Sequence, residues 1–122
     1  GIYADLLRDA DLPEYERIKR GLVKVLNKHG GYEPDADDLY VDRIARAHIY
    51  LARSEIFLDP DTASEHTFAR IADSQTKLWK TIETAMRELA VARKDRMAGQ
   101  TQASLMKELR EAMLRGLKNA RH

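Results

Sequence analysis

The sequence has no cysteine and few aromatic residues, with one Trp, two Phe and five Tyr among 122 residues. The absence of cysteine excludes a disulfide framework, a thiolate nucleophile and a zinc site built on sulfur. Apolar runs are only a few residues long, so no segment is typical of a membrane span or a signal peptide. What is present, 43% apolar and 34% charged residues, is too apolar for a disordered chain and indicates a soluble, intracellular helical protein.

The chain also lacks an excess of charge of one sign, because 21 Lys and Arg stand against 20 Asp and Glu. A net charge of +1 excludes the uniformly basic profile of a protein that coats nucleic acid. The balance conceals an asymmetry along the chain. Residues 1–89 carry 13 basic and 17 acidic side chains, whereas residues 90–122 carry 8 basic and 3 acidic ones. Basic character is therefore expected at the C-terminal end.

Hydrophobic spacings of three and four residues predict a short first helix from Pro13 to His29, ended by Gly30 and Gly31. Two longer helices are predicted over residues 36–58 and 66–97, with Asp35 as the N-cap of the first. They are expected to form an antiparallel hairpin. The apolar arc of the first hairpin helix is wide, which indicates contacts with neighbours on two sides.

The second hairpin helix has the most regular apolar pattern of the chain. At about 1.5 Å per residue it is roughly 45 Å long, which is longer than a chain of this size buries alone. The hairpin is therefore expected to self-associate into an oligomer, and into a ring if the contact closes. The residues predicted to build the hairpin core and the contact between subunits are Leu51, Phe68, Leu78, Trp79, Ile82 and Leu89.

A last amphipathic helix is predicted after Thr101, which suits an N-cap. No strand-like alternation of useful length occurs, so the expected fold class is all-α. The chain divides into a helical hairpin and oligomerisation domain, residues 1–98, and a basic amphipathic C-terminal helix, residues 99–122.

Catalytic and metal-binding patterns are missing. The glycine pair, Gly30 and Gly31, lacks the lysine and the strand context of a phosphate-binding loop. The histidines do not have metal-ligand spacing, and the acidic residues before the hairpin are explained by helix capping and the helix dipole. We therefore expect no enzyme activity, no cofactor and no metal. The histidines are His29, His48, His66 and His122, and the acidic residues are Asp35, Asp37 and Asp38.

A basic cluster ends the second hairpin helix and consists of Arg93, Lys94 and Arg96. Two interpretations are open. Cations stabilise a helix C-terminus through the macrodipole, or the cluster, repeated around an oligomer, binds DNA phosphates in a salt-sensitive way. Arg43, Arg46 and Arg53 on the first hairpin helix also have two interpretations, since they are either solvated or salt-bridged, or they contact the DNA backbone.

The layout resembles the small terminase subunits of tailed bacteriophages. The resemblance rests on the short first helix, on residues 29–40 (HGGYEPDADDLY) leading into the first hairpin helix, and on the basic segment that ends the second. It covers roughly residues 14–98 and concerns the order of elements.

This resemblance implies a non-catalytic DNA-packaging factor in the cytoplasm of an infected host cell. Such a factor forms a homo-oligomeric ring, recognises double-stranded viral DNA, and recruits and regulates the large terminase, an ATPase and nuclease. The C-terminal helix would then engage the large subunit through Leu109, Met113 and Leu117. The alternative is a helical adaptor or regulatory protein that dimerises through the hairpin and has protein partners only.

Overall fold

The computed structural model describes residues 7–55, 65–96 and 101–120. In this part of the chain there are four α-helices and no strand, which confirms the all-α prediction. None of the described helices is both long enough and apolar enough to cross a membrane. The helices are α1 (Leu12–Lys28), α2 (Pro34–Glu55), α3 (Glu65–Ala92) and α4 (Gln102–Ala120).

Some of the predictions lie outside the described residues. They concern the side chains of Phe68, Arg96 and Leu117, and the boundary predicted between residues 98 and 99.

The turn between α1 and α2 follows from its glycines. Gly30 and Gly31 have φ angles of 104° and 97°, which residues with a Cβ rarely adopt. The Gly31 N–H donates to the carbonyl of Leu26 at 3.1 Å and so satisfies a carbonyl of the last helical turn. The next helix begins at Pro34 rather than after Asp35, because proline suits a first helical position.

The predicted antiparallel hairpin is confirmed by contacts between α2 and α3. Asp37, near the start of α2, pairs with Arg93, just after α3. Near the other end, Gln75 donates to the hydroxyl of Ser54 at 2.9 Å. Residue numbers rise along one helix as they fall along the other, as in any antiparallel pair.

The outer helices complete a four-helix bundle. Lys19 of α1 pairs with Asp38 of α2 at 2.9 Å, and α1 runs antiparallel to α2. At the end of α1, His29 contacts Glu108 near the start of α4, which makes α4 antiparallel to α1. Each helix thus packs on its neighbours in an up-down-up-down order. The expectation that α2 touches neighbours on two sides is confirmed, because it packs against both α1 and α3.

The N-terminus of α4 has the predicted cap, since the Thr101 hydroxyl accepts the Ser104 N–H at 3.0 Å. The helix packs on α1 and α3 and shares their core. Leu109 and Met113 are 0% and 1% exposed. The structure thus contradicts their assignment to a partner-binding face, because a side chain without exposed surface cannot contact a second protein.

Apolar side chains from all four helices form one core. The core covers α3 unevenly. Ile82 and Leu89, in the C-terminal half of α3, are fully buried, as expected, and Leu51 of α2 is also buried. In the N-terminal half, residues 65–81, Leu78 is only partly buried and Trp79 is 38% exposed. The row of apolar residues on α3 therefore continues into a segment that the other helices only partly cover.

Candidate nucleic-acid interface

Arg93 is a buried residue and not a surface cation. Its side chain and that of Asp37 have 0% exposure and form an ion pair, with Nη1 2.5 Å from the carboxylate. Its Nη2 donates to the carbonyls of Leu26 and His29 at 3.0 and 2.9 Å. The assignment of Arg93 to DNA contact is therefore contradicted, because no part of its side chain faces solvent.

The burial of Arg93 arises where three helix ends meet. Asp37 also accepts the N–H of Glu33 at 2.9 Å and so stabilises the start of α2. The guanidinium lies at the C-terminal carbonyls of α1, where the helix dipole favours a cation. Arg93 therefore lies as a cation at a helix C-terminus, as one of the two interpretations had it. The helix is α1, however, and not α3, which Arg93 follows in the sequence.

The other basic residues proposed from the sequence differ in their ion pairing and exposure. Arg46 donates through Nε to both carboxylate oxygens of Asp42, at 3.0 and 2.9 Å, and this pairing raises the pKa of Arg46. Arg43 is half-exposed and lies 3.9 Å from Glu88. Lys94 is exposed. Arg43 and Arg46 lie on α2 and Lys94 follows α3, and the three side chains differ in exposure and in ion pairing.

A stronger cationic surface lies on α1. Arg17, Arg20, Lys24 and Lys28 are all exposed, and their spacings of three, four and four residues place them on one face of the helix. We call these four residues the α1 cationic row. It lies opposite the buried face of α1, which includes the fully buried Leu22.

The α1 cationic row is not neutralised locally. Within the described residues, no carboxylate forms an ion pair with any of its four members, whereas the neighbouring Lys19 pairs with Asp38. At about 1.5 Å per residue, the row extends roughly 16 Å along the helix. It therefore offers four free cations in three helical turns.

The row is present although residues 1–89 carry a net negative charge, because several carboxylates of this segment pair with basic side chains outside the row. Four aspartates form such pairs, three of them between different elements and one within α2. The pKa of Asp38 is lowered by a hydrogen bond from Tyr32 and by Lys19. A count of charges along the chain misses the α1 cationic row. Sorting the charged residues by helix face would have shown it. The pairs are Asp11–Arg53, Asp37–Arg93, Asp38–Lys19 and Asp42–Arg46.

Other polar groups of interest are isolated. His48 is 2% exposed, and neither ring nitrogen has a hydrogen-bond partner among the described residues. Burial lowers the pKa of His48 to about 4. Among the described residues no three histidine, aspartate or glutamate side chains come together as a possible metal site.

Comparison of the chain with protein-family models, curated proteins and solved structures gives no match. Function is therefore inferred from the geometry of the described residues.

Proposed function

We propose that this protein is a non-catalytic DNA-binding factor whose α1 cationic row contacts the phosphate backbone. In line with its resemblance to small terminase subunits, we propose that it acts in viral DNA packaging in the host cytoplasm. There it would assemble as a homo-oligomeric ring and recruit the large terminase. The observation that carries the proposal is the set of four exposed cations on α1, free of ion pairs within the described residues.

The dimensions of the row suit a polyanion. A strand of DNA presents one phosphate per about 3.4 Å of helix axis, so a row of roughly 16 Å is as long as about five phosphates. Lysine and arginine contacts of this kind position a protein on DNA without reading its sequence. The apolar face of α1 is buried in the core, so that face is not available for insertion into a bilayer, which argues for a nucleic acid over a membrane.

Oligomerisation is supported by the N-terminal half of α3. Trp79 is 38% exposed there, and Leu78 is only partly buried. A second copy packing against this segment would remove apolar surface from water. Assembly would also multiply the α1 cationic row by the number of subunits, which strengthens phosphate binding without any further contact within a subunit.

An adaptor with protein partners only is the second candidate. Leu39 of α2 is 60% exposed and Val91 of α3 is 56% exposed. They flank the Asp37–Arg93 pair in sequence, so they lie at the same level of the hairpin. Exposed apolar residues at one end of a hairpin would suit a protein–protein contact if a partner covers them together.

The two candidates differ in their affinity for duplex DNA. In the test variant, Arg17, Arg20, Lys24 and Lys28 are all changed to Gln, and binding to a fluorescein-labelled duplex is followed by anisotropy at low salt. We expect the affinity to fall roughly tenfold or more, because four phosphate contacts are lost. Wild-type protein that does not bind the duplex would favour the adaptor.

The matched control removes the same charge from another surface. Lys80, Arg87, Lys107 and Arg115 are exposed, and their replacement by Gln should change DNA affinity much less. Equal losses in both variants would contradict a role for α1 in particular. Light scattering of the wild type tests assembly separately, and a monomeric mass at micromolar concentration contradicts the ring.

A further inference from the structure

A cleft of about 370 Å³ opens between the C-terminal half of α2 and the N-terminal half of α3. It lies away from the α1 cationic row, and the proposed DNA contact does not use it. Its volume is within the range of sites for small ligands, about 300–1,000 Å³. Its described lining residues are Tyr50, Arg53, Ser54, Thr67, Arg70, Ile71 and Ser74.

The lining is cationic and rich in hydroxyl groups. It contains two arginines and no carboxylate among the described residues. Arg70 is exposed and has no ion pair in the part of the chain that the structure describes. The hydroxyl of Ser74 adds a neutral hydrogen-bonding group. An anion entering the cleft would therefore meet cationic and neutral donors, and the carboxylate beside Arg53, that of Asp11, is paired with it.

Arg53 lines the cleft, and its side chain is 24% exposed. Its Nη2 pairs with Asp11, and its guanidinium lies 5.4 Å from the centre of the Tyr50 ring. These two contacts hold the side chain in place beside the cleft, where its positive charge favours a bound anion.

We infer that this cleft binds a small organic anion, with a phosphate or carboxylate head group held by Arg53 and Arg70. The apolar part of the ligand would pack against Ile71, the aliphatic residue of the lining. Arginine suits this role because its planar donors match both phosphate and carboxylate oxygens.

The test uses NMR spectra of the full chain labelled with nitrogen-15. The probes are phenyl phosphate, benzoate and the neutral benzyl alcohol. We expect saturable shifts of the Ser54, Ile71 and Ser74 amides with phenyl phosphate or benzoate, and the tighter of the two identifies the head group. Benzyl alcohol should cause no saturable shift at these amides. Equal binding of the neutral probe, or no binding of either anion, overturns the proposal.

Two variants locate the charge that matters. Arg70→Gln should weaken binding of the anionic probe roughly tenfold, because a charge-assisted hydrogen bond is lost. Lys80→Gln, at another exposed position of α3, should leave the binding unchanged. Equal weakening in both variants, or in neither, contradicts the assignment. The variant without the α1 cationic row should still bind the probe, so the result is independent of DNA binding.

Discussion

Replacing Arg93 by Met tests whether the buried ion pair holds the helix ends together. The substitution removes the guanidinium and puts an unbranched, apolar side chain of moderate length in its place. The carboxylate of Asp37, which is 0% exposed, loses the cation beside it. The carbonyls of Leu26 and His29 lose a donor at the same time. Three helix ends are therefore affected by one change.

The expected loss is large. Removing one partner of a buried ion pair costs about 3–5 kcal/mol, because the other charge stays buried without compensation. Domains of this size are stable by only about 5–15 kcal/mol, so Arg93→Met should lose about a fifth or more of that stability. Urea unfolding followed by circular dichroism measures the loss. Lys94→Met, at the exposed neighbouring position, should change the free energy of unfolding by no more than about 0.5 kcal/mol.

A double-mutant cycle separates the ion pair from simple loss of packing. Asp37→Leu alone leaves Arg93 buried without its carboxylate, whereas the double variant leaves neither charge. The double variant should therefore be more stable than the sum of the two single losses predicts, by about 2 kcal/mol. Single losses that add to within about 0.5 kcal/mol, or a loss below about 1 kcal/mol for Arg93→Met, would refute the role given to the ion pair.

Two further stability measurements follow from the core. Because burial lowers the pKa of His48 from 6.5 to about 4, the unfolded chain takes up the proton first as pH falls. The free energy of unfolding should therefore drop between pH 6.5 and pH 4, by about 3 kcal/mol from this residue. In urea unfolding, His48→Gln should remove that part of the pH dependence. The control His66→Gln, at an exposed position, should leave it unchanged. Equal pH dependence in both variants contradicts this expectation. Leu89→Ala, at a fully buried position, should cost about 2–5 kcal/mol in thermal or urea unfolding. Leu78→Ala, at a partly buried one, should cost less than half as much, and equal losses would show that the N-terminal half of α3 is as well packed as the rest.

Local sequence signals predicted most of the fold. The spacing of apolar residues gave four helices, and Gly30, Gly31 and Thr101 marked the ends that the structure has. These features depend on residues close together in the chain, so a single sequence contains them. The antiparallel hairpin followed from the short connection between two long helices.

Whether an individual charged residue is buried or exposed could not be predicted in the same way. Arg93 lies in a basic cluster and looks like a surface residue, but its burial depends on three helix ends meeting in space. Leu109 has the spacing expected of any amphipathic face, and the spacing does not say whether that face meets the same chain or a partner. The α1 cationic row could have been predicted from the spacing of its residues, but the net negative charge of residues 1–89 concealed it.

The most direct test of the proposed function is the dependence of DNA affinity on salt. The logarithm of the binding constant should fall linearly with the logarithm of the salt concentration, with a slope of about −0.9 for each phosphate contact. Removing the α1 cationic row should therefore make the slope less steep by about 3–4 for each engaged subunit. An unchanged slope in the variant would contradict the claim that α1 binds the DNA backbone.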